Sequence, residues 1–258
     1  DEPHGHFNAI FLEDCNALDT PNQRDAVRIA HEQGAFITWN HPEWKRKGSD
    51  VWGAIQQEYF DLGWMHGIEV FNSRTYYKNA HQWAMDKNLT MLGTTDIHSP
   101  IDDVFNTREG ELRPMTLVFV SENFLAGIKE ALFARRTVAY SNNTLVGREE
   151  WVRPIFEASV TVQQAAATLK GKTPFMVPIH NSSPVSYELK ADGRVRGISF
   201  PDTIKLHAGK TVMLRLQGGG GTLSGEANIS LPYQVKNIWT APDTPLNTTF
   251  ELQVTYSE

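Results

Sequence analysis

Between Gly93 and Pro100 the chain reads Gly-Thr-Thr-Asp-Ile-His-Ser-Pro, and here residue type and spacing first point to chemistry. Alternate side chains of a strand face one side, so Asp96-x-His98 aims a carboxylate and an imidazole at a single spot. A hard oxygen beside a borderline nitrogen suits Zn, Mn or Fe. Asn40-His41-Pro42 is a second such point, directly after the apolar run Ala35 to Trp39. The following proline is expected to hold His41 extended and out of a helix. Parallel βα architectures place reactive residues where strands end and loops begin, so His41, Asp96 and His98 are read as ligands converging on one mouth. His4-Gly5-His6 is a further imidazole cluster, but it stands at the start of its strand, and strand-end logic gives no account of it.

Seven of the nine histidines precede Pro100, so whatever uses imidazole lies in the first half. His31 sits at a helix end where a cation suits the dipole, His66 precedes a glycine turn, and His81 lies on a helix beside Trp83; none of the three is taken as a ligand. The single cysteine, Cys15, excludes an internal disulfide and a thiolate-rich zinc cluster, leaving His, Asp and Glu to hold any metal. A net charge of -6 argues against a nucleic-acid surface, which needs a basic excess. No segment approaches the roughly 20 apolar residues of a membrane helix.

The elements that must position these residues alternate in the first half. Phe7 to Leu12 reads as a strand, and Thr20-Pro21-Asn22-Gln23 opens a helix with Thr20 as N-cap and Gln23 completing a capping box. Ala26, Val27 and Ala30 form its buried stripe, and Gly34 ends it. The strands Ala35 to Trp39 and Gly67 to Phe71 follow, then a helix with Tyr76, Ala80, Trp83 and Ala84 on one face, then the strand leading to Asp96. Met115 to Val120 is another strand, after which Ser121 caps a helix bearing Phe124, Leu125, Ile128 and Leu132; Thr137 to Tyr140 is the last strand of this kind. The pattern predicts βα units in a parallel sheet or barrel over 1–142.

From about Asn142 short strands such as Ser159 to Val162, Phe175 to Ile179, Ser186 to Leu189, Thr211 to Leu216 and Phe250 to Tyr256 are separated by Pro, Gly, Asn and Ser clusters, which predicts an immunoglobulin-like β-sandwich over 143–258. The run Gly218 to Gly221 lacks the Lys-Ser/Thr and helix start of a phosphate loop and reads as a hairpin loop.

The segments Gly5 to Leu12, Trp39-Asn40-His41-Pro42, Gly67 to Asn72 and Gly93 to His98, in that order, resemble the PHP superfamily of metal-dependent phosphoesterases. The resemblance implies an α/β fold, a distorted (β/α)7 TIM-like barrel, with a multinuclear centre of two or three divalent ions when complete. It implies His6, His41, Asp96 and His98 as metal ligands, the last three being catalytic; for His6 it is the sole basis. The family pattern begins with an H-x-H motif, a further His and a Glu upstream of the Gly-His-Phe segment. These are absent here, so the expectation is an N-terminally incomplete barrel.

The implied activity is hydrolysis of a small phosphorylated substrate, a phosphomonoester or phosphodiester. Bound metal lowers the pKa of water from 15.7 toward about 7, and paired ions clamp the attacking and leaving oxygens. Lys45, Arg46 and Arg74 follow the strand ends as candidate phosphate contacts, Arg74 being the one carried forward. Alternatives are a non-catalytic metal- or glycan-binding protein with a degenerate site, or an amidohydrolase-like metal hydrolase. A periplasmic or secreted bacterial setting is expected by analogy with appended sandwich modules.

Overall fold

A computed structural model describes residues 5–44, 51–219 and 224–257. The chain divides into two compact units, Asp1–Trp151 and Val152–Glu258. The change of sequence grammar at Asn142 falls on the turn of a hairpin, and the first unit takes in the second strand of that hairpin before it ends.

The first unit runs β1 (His6–Ile10), α1 (Gln23–Glu32), β2 (Phe36–Asn40), α2 (Ala54–Asp61), β3 (Gly67–Asn72), the short β4 (Thr75–Tyr76), α3 (Lys78–Asp86), β5 (Thr90–Thr94), β6 (Met115–Val118), α4 (Leu125–Phe133), β7 (Thr137–Ser141) and β8 (Thr144–Gly147). Every residue of β2 and β3 is buried, as expected of central strands covered on both faces. Helix α1 starts two residues later than the capping box predicts. Asn22, not Thr20, is its N-cap and accepts the Asp25 N–H at 2.8 Å, while Thr20 donates to the Asn22 carbonyl. Val27 and Ala30 are its buried face, and Gly34 at φ +70° ends it. Helix α4 begins beyond Ser121, at Leu125, without a side-chain cap.

The expected barrel is not what the strands build. Strands β2, β3 and β5 are parallel, β1 is antiparallel to β2, and β4 folds back on β3. Among the described residues β5 has no ladder partner beyond β3, so the sheet is open. Threonine hydroxyls hold the antiparallel group β6–β7–β8 against it: Thr137 Oγ1 donates to the Met91 carbonyl at 2.8 Å, and Thr116 exchanges two 3.0 Å bonds with Gly93. Gly93 permits the approach, since a Cβ there would stand 2.9 Å from the Met115 carbonyl oxygen. Phe36, Leu92 and Leu132 form a core beneath.

The second unit is a β-sandwich. After α5 (Glu149–Ser159), one sheet has the order β13-β15-β11-β9, built from β9 (Val160–Val162), β11 (Pro174–Asn181), β13 (Ile198–Ser199) and β15 (Lys210–Gly218). The other joins β10 (Ala166–Lys170), β12 (Tyr187–Ala191), β14 (Thr203–Leu206), β16 (Gly225–Ala241) and β17 (Thr244–Ser257). Val177, Ile179, Leu214 and Leu216 of the first sheet are buried, as are Tyr187, Leu189, Tyr233 and Leu252 of the second. The long strand β16 went unpredicted because Pro232 and its scattered polar residues break the apolar signal. Gly218 and Gly219 close β15, and Gly220 and Gly221 lie outside the described residues.

Candidate metal centre

His6 opens β1 and Asn40 closes β2, and antiparallel pairing sets these two residues opposite each other. His6 is thereby delivered to the strand-end side of the sheet although it begins its own strand. Its Nδ1 lies 3.0 Å from Nε2 of His41, with the rings edge to face at a centroid separation of 4.7 Å. Neither sequence spacing nor strand-end logic contains this contact, because the direction of β1 is a tertiary fact.

His41 departs from the extended conformation expected before proline: its φ is +29°. Its N–H donates to Glu69 Oε2 at 2.6 Å, a charge-assisted bond that offsets the cost of left-handed backbone. Glu69 is 3% exposed and also accepts from Asn72 Nδ2 at 3.0 Å and Thr94 Oγ1 at 2.8 Å. One carboxylate therefore gathers donors from the ends of β2, β3 and β5. Burial pushes its pKa up, and the three hydrogen bonds pull it back in part.

Asp96 and His98 do come together, but not by strand alternation. Strand β5 stops at Thr94, Asp96 takes φ +51°, and the turn brings Asp96 Oδ1 within 3.6 Å of His98 Nε2. Both are open to solvent, the His98 side chain at 88% exposure and that of Asp96 at 37%. The Tyr77 phenol, buried at the start of α3, has its pKa raised first by desolvation and then by the carboxylates of Glu69, Asp96 and Glu43. Glu43 accepts the Asn79 and Ala80 N–H groups at 2.9 and 3.1 Å, tying the loop after β2 to the first turn of α3.

The donor chemistry fits a divalent cation pairwise. Two imidazole nitrogens on one tetrahedral zinc stand about 3.3 Å apart at the usual Zn–N length. The His6–His41 separation of 3.0 Å and the Asp96–His98 separation of 3.6 Å bracket that spacing. Among the described residues no group of three or more His, Cys, Asp or Glu is gathered closely enough to hold an ion. The four-ligand convergence expected from sequence is thus seen as two pairs.

The remaining candidates are placed as follows. Arg74 donates to Glu111 at 2.6 Å and to the Val104 carbonyl at 3.1 Å, and its guanidinium lies 4.6 Å from the Phe105 ring centroid. It anchors the 104–111 segment, where sequence expected a phosphate contact. Lys45 and Arg46 lie outside the described residues, as does His4. His81 is wholly buried, with Nδ1 2.8 Å from the Tyr76 hydroxyl, and burial lowers its pKa to about 4. His66 Nδ1 accepts the Ile37 N–H at 3.0 Å. Glu69, inside the segment Gly67 to Asn72, is the residue that sequence reasoning missed. Its signal was a lone carboxylate inside the apolar strand Gly-Ile-Glu-Val-Phe, a position that demands partners.

Comparison with known proteins bears on both units. A family of Ig-like domains matches residues 160–251. No curated protein matches the chain. Among solved structures, the CsuC–CsuE chaperone–tip adhesion subunit complex from Csu pili of Acinetobacter baumannii (12% identity, 38% of this chain and 57% of that one, TM-score 0.29) and the YadV chaperone (13% identity, 38% and 51%, TM-score 0.29) are too distant to carry an argument. The crystal structure of a two-domain protein from Bacteroides vulgatus ATCC 8482, containing a predicted PHP-like metal-dependent phosphoesterase, matches at TM-score 0.87 with 38% identity over 96% of this chain and 71% of that one. With that identity over nearly all its length and an Ig-like second unit, the chain belongs to the two-domain PHP-like family.

Proposed function

We propose that the protein is a metal-dependent phosphoesterase that hydrolyses a small phosphomonoester or phosphodiester, with His6, His41, Asp96 and His98 as metal ligands and the last three catalytic. The observation that carries the reading is the His6–His41 contact, in which two imidazole nitrogens 35 residues apart face each other at 3.0 Å, together with the turn that pairs Asp96 with His98. Divalent Zn, Mn or Fe held there supplies a lowered pKa for water and neutralisation of phosphate charge. The chain's own part is to orient: Glu69 fixes the backbone at His41, and the Asp96–His98 turn keeps its donors open to substrate. Arg74 contributes to phosphate binding only by exchanging Glu111 for substrate.

The test is turnover of p-nitrophenyl phosphate and its bis-ester by the full chain with added Mn or Zn. Activity is expected to fall by at least about a hundredfold in His41→Ala and in Asp96→Ala, the scale of losing an ion's stabilisation of charge. Unchanged rates in both variants sink the reading. Because no three donors gather among the described residues, a second reading is a binding protein whose reduced site holds at most one weak ion. Metal analysis of protein carrying the complete domain separates the two, since the enzyme reading expects two or three ions there. No helix among the described residues is long and apolar enough to cross a membrane, and the Ig-like module supports a periplasmic or secreted setting.

A further inference from the structure

At the opposite edge of the parallel strands, where β3, β5 and β7 begin, a partly open cavity of about 280 Å³ is lined by Phe60, Met65, His66, Lys87, Phe133 and Arg135, among others. Among the described residues no carboxylate lines it. Lys87 is half-buried, with Nζ 4.4 Å from the Trp52 ring centroid and 4.8 Å from that of Phe60, and it donates to the side-chain Oε1 of Gln57 at 3.2 Å. Arg135, also half-buried, spends one N–H on the Phe133 carbonyl at 2.9 Å. Among the described residues neither cation has an acidic partner, in a protein whose net charge is -6. His66 accepts the Ile37 N–H on Nδ1, so its neutral ring carries the proton on Nε2 and is a donor. Arg148 adds a third positive charge: it bonds the Asn88 side chain, which lines the cavity, and its pKa is lowered by burial and by the charge of Arg135.

Charges withdrawn from water are ordinarily paired, and cations left together repel. Two half-buried cations and an imidazole N–H around an apolar-walled recess therefore call for a counter-charge from outside the chain. We propose that this cavity binds a small organic anion, one carboxylate or phosphate group on a flat apolar body, with Lys87 and Arg135 pairing the charge, His66 Nε2–H donating, and Phe60, Met65 and Phe133 covering the body. The volume suits a single-ring ligand and lies just below the range of drug-sized pockets. The site is independent of the proposed phosphoesterase centre, which lies at the other ends of the same strands.

The experiment is a calorimetric titration of the metal-stripped full chain with benzoate, which the proposed hydrolysis does not consume. Saturable millimolar binding is expected, about tenfold weaker in each of Arg135→Gln and Lys87→Gln, which are partly exposed and leave the fold intact. Affinity should be unchanged in His41→Ala, and benzamide, the neutral analogue, should bind at least tenfold more weakly. The proposal is overturned by absence of saturable binding, by equal binding of benzamide, or by loss of binding in His41→Ala with retention in the two cavity variants. None of these outcomes bears on phosphoester turnover, so the two ideas fail separately.

Discussion

Glu69 shows how one side chain can carry a site it does not line. Its three donors come from residues 41, 72 and 94, and each is a group that burial would otherwise leave short of a partner. His81 is the counterpart on α3: a wholly buried imidazole with Nδ1 on the Tyr76 hydroxyl, held neutral first by burial and then by the positive charge of Arg148. Because its folded pKa is about 4 against an ordinary 6.5, the unfolded chain binds the proton first as pH falls. Stability from this residue is therefore complete above about pH 6.5 and is lost between there and about pH 4. The loss amounts to roughly 3 kcal/mol for a shift of that size. Urea unfolding across this window should show about one proton fewer taken up on unfolding in His81→Asn than in the parent protein; equal proton uptake would remove His81 from the account.

At the scale of elements, the strand ends depend on how β5 is seated. Gly93 lies against β6 and β7, and a methyl group there would press on the Met115 carbonyl at 2.9 Å and the Tyr140 carbonyl at 3.2 Å. Gly93→Ala should cost about 1–3 kcal/mol, the usual range for overpacking, read as a lower urea midpoint with unchanged slope. It should also displace the turn that carries Asp96, so metal uptake should weaken with stability.

Much of this frame is legible in sequence because β2, β3 and β5 are short, mostly apolar and almost wholly buried runs, and such runs announce themselves without knowledge of their neighbours. What lies between elements is not legible. The approach of His6 to His41 requires knowing that β1 runs against β2. The pairing of Asp96 with His98 was anticipated for the wrong reason, since the strand ends before them and a left-handed residue replaces alternation. Likewise the threonine hydroxyls that join β5 to β6 and β7 leave no periodic trace, so the pattern could not separate a parallel sheet from the incomplete barrel that the resemblance implied.

For the molecule as a whole, acidity and site chemistry divide the work. A net charge of -6 gives a polyanion no overall electrostatic attraction to the chain. No retardation of duplex DNA is expected in a gel-shift at physiological salt, and a saturable shift would show that the local cations act together on a longer ligand. The second unit brings no disulfide, because Cys15 is alone and exposed in the first. Its cohesion comes from the apolar faces of two sheets, which leaves it indifferent to the redox state of its surroundings.

The reversed direction of β1 has one more effect. Among the described residues that strand borders the sheet with β2 as its sole neighbour, and the imidazoles of His6 and His41 meet at the seam between the two. A cation gripping both rings is also a clasp on that seam, so peeling of the border strand and escape of the ion become a single event, and each restrains the other.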